Sequence, residues 1–199
     1  MSEKPILMST PNVNAILDGR KTMTRRVINP QPKIVHELRT DGILITEQIF
    51  RDGGAGIKCP YGQVGGRLWV RETWMPETEQ GIPTGGIIYK ATNNPEPDGD
   101  IPLKWRPSIF MPRWASRITL EITEIRVERL NQISHRDICA EGISENPYNE
   151  FTAQPYHYGR DKLLFEQLWD SINAKRGYNW ASNPWVWVIS FNKLEAQHE

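Results

Sequence analysis

Ile118-Thr119-Leu120-Glu121-Ile122-Thr123-Glu124-Ile125-Arg126-Val127 alternates apolar and polar residues and then breaks its own rhythm. Ile118, Leu120 and Ile122 share one parity while Ile125 and Val127 share the other, and successive side chains of a strand face opposite sides. One extra residue near Thr123-Glu124 puts all five back on a common face, so the spacing predicts a β-bulge there. Such bulges occur where sheets coil into barrels, and the stretch therefore predicts a coiled sheet.

The residues that follow are tightly specified. Ser134 reads as an N-cap with Asp137 at the third position, as in a capping box, and Ile133 can staple to Ile138. Gly142 then ends the helix, with Ile143 placed to touch Ile138 as a Schellman closure requires. This leaves Glu141 on the last turn, where exposed carbonyls make a carboxylate unfavourable by about 0.3–1 kcal/mol. An acid set against the helix dipole calls for a reason.

Upstream, residues 65–74 read as a glycine turn and a strand with Leu68 and Val70 on the core face and Arg67, Trp69 and Arg71 on the other. Between the two strands, Trp105-Arg106-Pro107-Ser108-Ile109-Phe110-Met111-Pro112-Arg113-Trp114-Ala115-Ser116-Arg117 interleaves arginines with tryptophans. Nearer the start, residues 5–8 form a short apolar strand. A helix follows, with Thr10 as N-cap, Pro11 in the first position, Val13, Ile16 and Leu17 on one face and Gly19 as its stop.

The basic run Gly19-Arg20-Lys21-Thr22-Met23-Thr24-Arg25-Arg26 begins where that helix ends, and its second half extends as a strand. Strict alternation groups Lys21 with Met23 and Arg25, and Thr24 with Thr22 and Arg26. Lys21 and Thr24 therefore meet only if the backbone bends near residue 21 or 22. Read alone, the run suits a solvated basic strand as well as the anion-facing wall of a nucleotide-sized pocket.

Further along, a hairpin is expected around Asp41-Gly42, a strand over 87–91 and a loop over 144–159. An amphipathic helix is expected over 161–173, with Leu164, Leu168, Trp169 and Ile172 on one face, and a closing strand over 185–191.

At 199 residues the chain suits a single domain able to bury a real core. Equal numbers of basic and acidic residues, 24 of each, leave no overall positive field, so any phosphate binding must come from a local patch. The two cysteines, Cys59 and Cys139, form neither a CxxC pair nor a secretory framework, which points to a reducing cytoplasm. No apolar run approaches the roughly 20 residues that span a bilayer, so no membrane partner is expected. The four histidines show no metal-ligand spacing, and neither metal nor cofactor is expected.

The chain resembles the ASCH family, small β-barrels related to the PUA fold and associated with RNA. The likeness rests on the helix with the basic run at 19–26, the turn and strand at 65–71, the strand and short helix at 117–142, and the closing strand at 185–191. It implies an α+β fold: one PUA-like small β-barrel spanning 1–199, with short flanking helices and two loop-rich insertions at about 29–64 and 75–107. The stretches CPYG, RLWVRETW, WRPSIFMPRWASR and NPWVWV resemble ASCH-domain proteins of phages and prophages.

Some small bacterial ASCH proteins similar in the Gly-Arg-Lys-Thr-x-Thr block hydrolyse N4-acetylcytidine with a lysine, a threonine and a glutamate. The resemblance carries those roles to Lys21, Thr24 and Glu141. Amide hydrolysis needs a nucleophile, a proton shuttle and an oxyanion holder. Arg20, Arg25 and Arg26 should push the Lys21 amine down by like charge, while a helix C-terminus should push Glu141 up. Arg20, Arg26, Trp69, Arg71, Arg113 and Trp114 are the expected substrate-binding residues, since arginines hold phosphate and tryptophans stack bases. Trp105, Tyr178, Trp180 and Trp185 are further candidates.

The first expectation is thus a metal-independent amidohydrolase whose partner is a nucleoside or RNA. A non-catalytic nucleic-acid-binding module and a ribonuclease are the competing functions.

Overall fold

The computed structural model describes residues 3–40, 43–50, 56–79, 82–93, 104–143 and 158–195, with 34–50 and 158 described by their backbone alone. The turn at Asp41-Gly42 and residues 144–157 of the loop expected over 144–159 lie outside the described residues, while Tyr158 and Gly159 belong to a helix instead. The fold is α+β. Five strands, β1 (Glu3–Leu7), β2 (Met23–Val27), β5 (Arg67–Arg71), β8 (Thr119–Arg129) and β9 (Trp185–Leu194), form one sheet in the order β1-β5-β8-β9-β2. β1 runs parallel to β5, and the other pairs are antiparallel.

The register of β8 against β9 slips between Ile122 and Glu124. This is the bulge that the parity change predicts, and it keeps Leu120, Ile122 and Val127 all buried. The sheet curls until its two edges meet: Arg26 of β2 donates from Nη2 to the Leu7 carbonyl of β1 at 2.6 Å. The result is a small barrel closed at that point by a side chain.

β9 shows how the sheet is sandwiched. Trp187, Ile189 and Phe191 join a core with Val13 and Ile16 of α1 (Thr10–Leu17), whereas Val186 and Val188 join a second core. That second core contains Ile138 of α2 (His135–Ala140) and Phe165 and Trp169 of α3 (Tyr158–Asn173). Period-2 alternation with both faces covered makes β9 an almost continuous apolar run. No helix among the described residues is long and apolar enough to cross a membrane.

Two hairpins stand outside this sheet, β3 (Ile34–Thr40) with β4 (Ile43–Phe50), and β6 (Trp74–Glu79) with β7 (Ile82–Tyr89). β7 starts five residues earlier than expected, because pairing with β6 extends it through Pro83 and two glycines that carry no strand signal. Two further readings are corrected. The N-cap of α1 is Ser9, not Thr10. The buried stripe of α3 is Asp161, Phe165, Trp169 and Asn173, whereas Leu164 and Ile172 are exposed.

Candidate functional site

Gly142 is the hinge on which the site is built. It closes α2 with φ +81, its N–H bonds the Cys139 carbonyl, and the Ile143 N–H bonds that of Ile138, the Schellman pattern. A Cβ at this position would lie 2.8 Å from the Ala15 Cβ and 3.1 Å from the Lys21 Cβ. Only glycine lets the end of α2 press against α1 and the basic run.

The run is knitted to that helix end. Lys21 and Glu141 form an isolated antiparallel bridge, the Thr22 N–H bonds the Ala140 carbonyl, and the Lys21 N–H bonds Ala15. At Thr22 the chain changes partner, its carbonyl accepting from Phe191 of β9. Alternation then holds along the run: Lys21 and Arg25 both face Glu141, and Lys21 makes no hydrogen bond to Thr24 among the described residues.

Lys21 thereby places its Nζ 2.6 Å from Glu141 Oε2 and 2.9 Å from the Glu141 backbone carbonyl. Both residues are buried, at 3% and 6% exposure. The ammonium also supplies the reason for an acid at a helix C-terminus: it neutralises carboxylate and terminal carbonyl together. Burial pushes the Lys21 amine below its ordinary value; Glu141 opposes this, while Arg26 and Arg25 reinforce it. Desolvation, rather than the crowding of like charges expected from sequence, is thus the leading cause.

Arg25 is the residue that the sequence reading left out of the site. Its side chain is 1% exposed, and Nη1 lies 3.4 Å from Glu141 Oε1, so the carboxylate is held from both oxygens. The same guanidinium reaches Glu128 at 2.5 Å and Asp137 at 2.6 Å, and Arg126 bridges those two acids to Glu124. The signal was present in the alternation that groups Arg25 with Lys21.

Thr24, Arg25, Arg26 and Glu141 line a cleft of about 470 Å³ whose other walls include Leu168, Trp169 and Ile172 of α3. That size suits a small organic ligand, and the mixture of apolar walls with a few polar groups is usual for one. The Thr24 side chain is buried at 3% and makes no hydrogen bond among the described residues, in contrast to the saturated pair beside it. Asn12 and Arg176 are further polar residues of the lining. Arg26 spends Nη2 on the sheet edge, and its buried Nε has no partner among the described residues.

The remaining expected residues divide. Arg71 lines the cleft, donates to the carbonyls of Met111 and Ile109, and lies 5.3 Å from the Trp69 ring. Arg20 sits outside the lining, bonded to Asp18 and to the Gly142 carbonyl. Arg113 is outside as well, paired with Glu3 at 2.7 Å, and Trp114 stands exposed against the edge of Trp74. Trp180 packs on Phe165, Trp185 stacks with Arg129, and Tyr178 offers its carbonyl to Trp169, so these three serve the framework.

No family model matches the chain, and no curated protein does. Two solved structures are similar to it. One is an ASCH domain from Lactobacillus crispatus JV V101, 12% identical over 96% of this chain and 79% of that one, with a TM-score of 0.39. The other is a DUF984 protein from Enterococcus faecalis V583, 10% identical over 100% of this chain and 86% of that one, with a TM-score of 0.45.

Proposed function

We propose that this chain is a metal-independent hydrolase that removes an acyl group from a modified nucleoside of the N4-acetylcytidine kind. The observation that carries the reading is the buried Lys21–Glu141 pair at 2.6 Å, set beside a cleft that Thr24 and Glu141 line together. Burying two charges is costly, and a cleft-lining carboxylate joined to an amine of lowered pKa is the form a proton shuttle takes.

In this reading Glu141 is the cleft end of the shuttle and Lys21 its buried end. A water held by the Thr24 hydroxyl adds its oxygen to the acyl carbon and gives one proton to the pair. The C–N bond then breaks, the proton passes to the leaving exocyclic nitrogen, and the products are the free acid and the unmodified nucleoside. Thr24 itself can attack in place of water, its proton passing through the pair to the leaving nitrogen, and one water then hydrolyses the acyl-threonine. Arg26, which lines the cleft, is the cation assigned to the developing oxyanion.

The test is release of acetate from N4-acetylcytidine by the natural protein and by Lys21→Ala, each with and without a chelator. A second reading follows from the saturation of the pair. Two charges that satisfy each other also make a latch between the end of α2 and the segment leading into β2, and a latch suits a module that binds nucleic acid without altering it. Binding unaffected by Glu141→Gln, with no hydrolysis by the natural protein, selects that reading.

A further inference from the structure

One edge of the cleft runs on into a rim at 108–115 that exposes large apolar groups. Ile109, which also lines the cleft, is 54% exposed, Phe110 69% and Trp114 72%. Exposed rings on a loose loop would mean little, but this rim is fixed. Met111 and Ala115 are fully buried beneath it, and Tyr89 donates its hydroxyl to the Ala115 carbonyl at 2.9 Å. Arg71 holds the carbonyls of Ile109 and Met111, and Arg113 ties the rim to Glu3 of β1 at 2.7 Å. Trp114 stands edge-on to the buried Trp74, with ring centroids 5.9 Å apart.

Cations border the rings, although Arg113 is paired with Glu3 and Arg117 with Glu72. Residues 104–117 contain Lys104, Arg106, Arg113 and Arg117 and no acid, in a chain whose formal net charge is zero. Lys104 and Arg106 are exposed. Rigid, solvent-facing rings bordered by cations and continuous with a nucleoside-sized cleft match the chemistry of a strand of unpaired nucleotides, whose bases stack and whose phosphates are anionic.

We propose that this rim is a landing platform for single-stranded polynucleotide, so that the nucleoside in the cleft is presented within a strand and its neighbours stack on Phe110 and Trp114. The inference rests on the nucleoside reading of the cleft but not on its catalysis. It makes the substrate a polymer instead of a free nucleoside.

Fluorescence anisotropy with short labelled single strands of RNA and of DNA, and with a duplex as control, tests it on the full chain. The natural protein and Lys21→Ala should both bind a single strand more tightly than the duplex, and binding should weaken as salt rises. Phe110→Ala with Trp114→Ala should weaken it about tenfold or more per ring, with a melting curve confirming the fold. Lys104→Glu, at an exposed position, should weaken binding and flatten the salt slope.

Tighter binding of RNA or of DNA tells which strand is meant, and either upholds the platform. Strand binding that persists in the double-ring variant overturns it. So does failure of both strands to bind, including the case where the rings instead drive self-association. Strand binding without hydrolysis of any acylated nucleoside would remove the proposed reaction and leave the platform standing.

Discussion

Two buried glutamates divide the molecule. Glu72 is 1% exposed and Glu141 6%, and each faces an arginine, yet their settings differ. Glu72 takes a bidentate grip from Arg117, Nε to Oε1 and Nη2 to Oε2 both at 3.0 Å, with the guanidinium stacked 4.0 Å from the Tyr89 ring. It is outside the cleft lining. Glu141 is shared between Lys21 and Arg25, stands at the end of a helix whose dipole opposes it, and lines the cleft. Burial of an acid alone therefore says little about function. The informative features are an amine partner that can lose its proton and a route to a ligand.

The comparison breaks most visibly through catalysis. Glu141→Gln should lower turnover of an acylated nucleoside by about 10²–10⁴-fold, the usual contribution of a general acid or base. Glu72→Gln should leave turnover unchanged, and steady-state kinetics on both variants reads the contrast. Both changes should also cost stability, Glu141→Gln the more of the two, since the Lys21 and Arg25 side chains that face it are only 1% exposed. Glu72→Gln should cost about 2 kcal/mol in urea unfolding, less than a fully buried pair because the Arg117 side chain is 27% exposed.

A backbone change sharpens the same contrast. Gly142→Ala forces a Cβ to within 2.8 Å of Ala15 at φ +81, and should cost about 1–3 kcal/mol in thermal unfolding. Because the nearby Lys21 Cβ must also give way, turnover should fall by more than the loss of folded protein explains.

The smallest effect is a titration. Since Glu141 holds the Lys21 amine up against burial, Glu141→Gln should move its protonation further below the ordinary lysine range, read from the lysine Cε resonance in ¹³C NMR. No such shift is expected in Glu72→Gln.

Much of this was legible in the sequence because it is local chemistry. The parity change at Thr123-Glu124 gives the bulge, Ser134 and Gly142 give both ends of α2, and Leu68 and Val70 give the core face of β5. The α3 face was misread because Leu164 and Ile172 are apolar but sit on the exposed and cleft sides, a choice made by packing against α2 and β9. The aromatic candidates scattered for the same reason. Trp180 and Trp185 found packing or cation partners, while Phe110, which no motif singled out, stands in the open. Arg25 was overlooked because its value lies in Glu128 and Asp137, more than a hundred residues away in sequence, and only the fold brings them together.

The most direct measurement is the rate of acetate release from N4-acetylcytidine by the natural protein set beside Lys21→Ala, in the presence of a chelator. The account predicts steady turnover by the first that the chelator does not touch, and a background rate from the second. Equal rates from the two proteins, whether both fast or both at background, would contradict it.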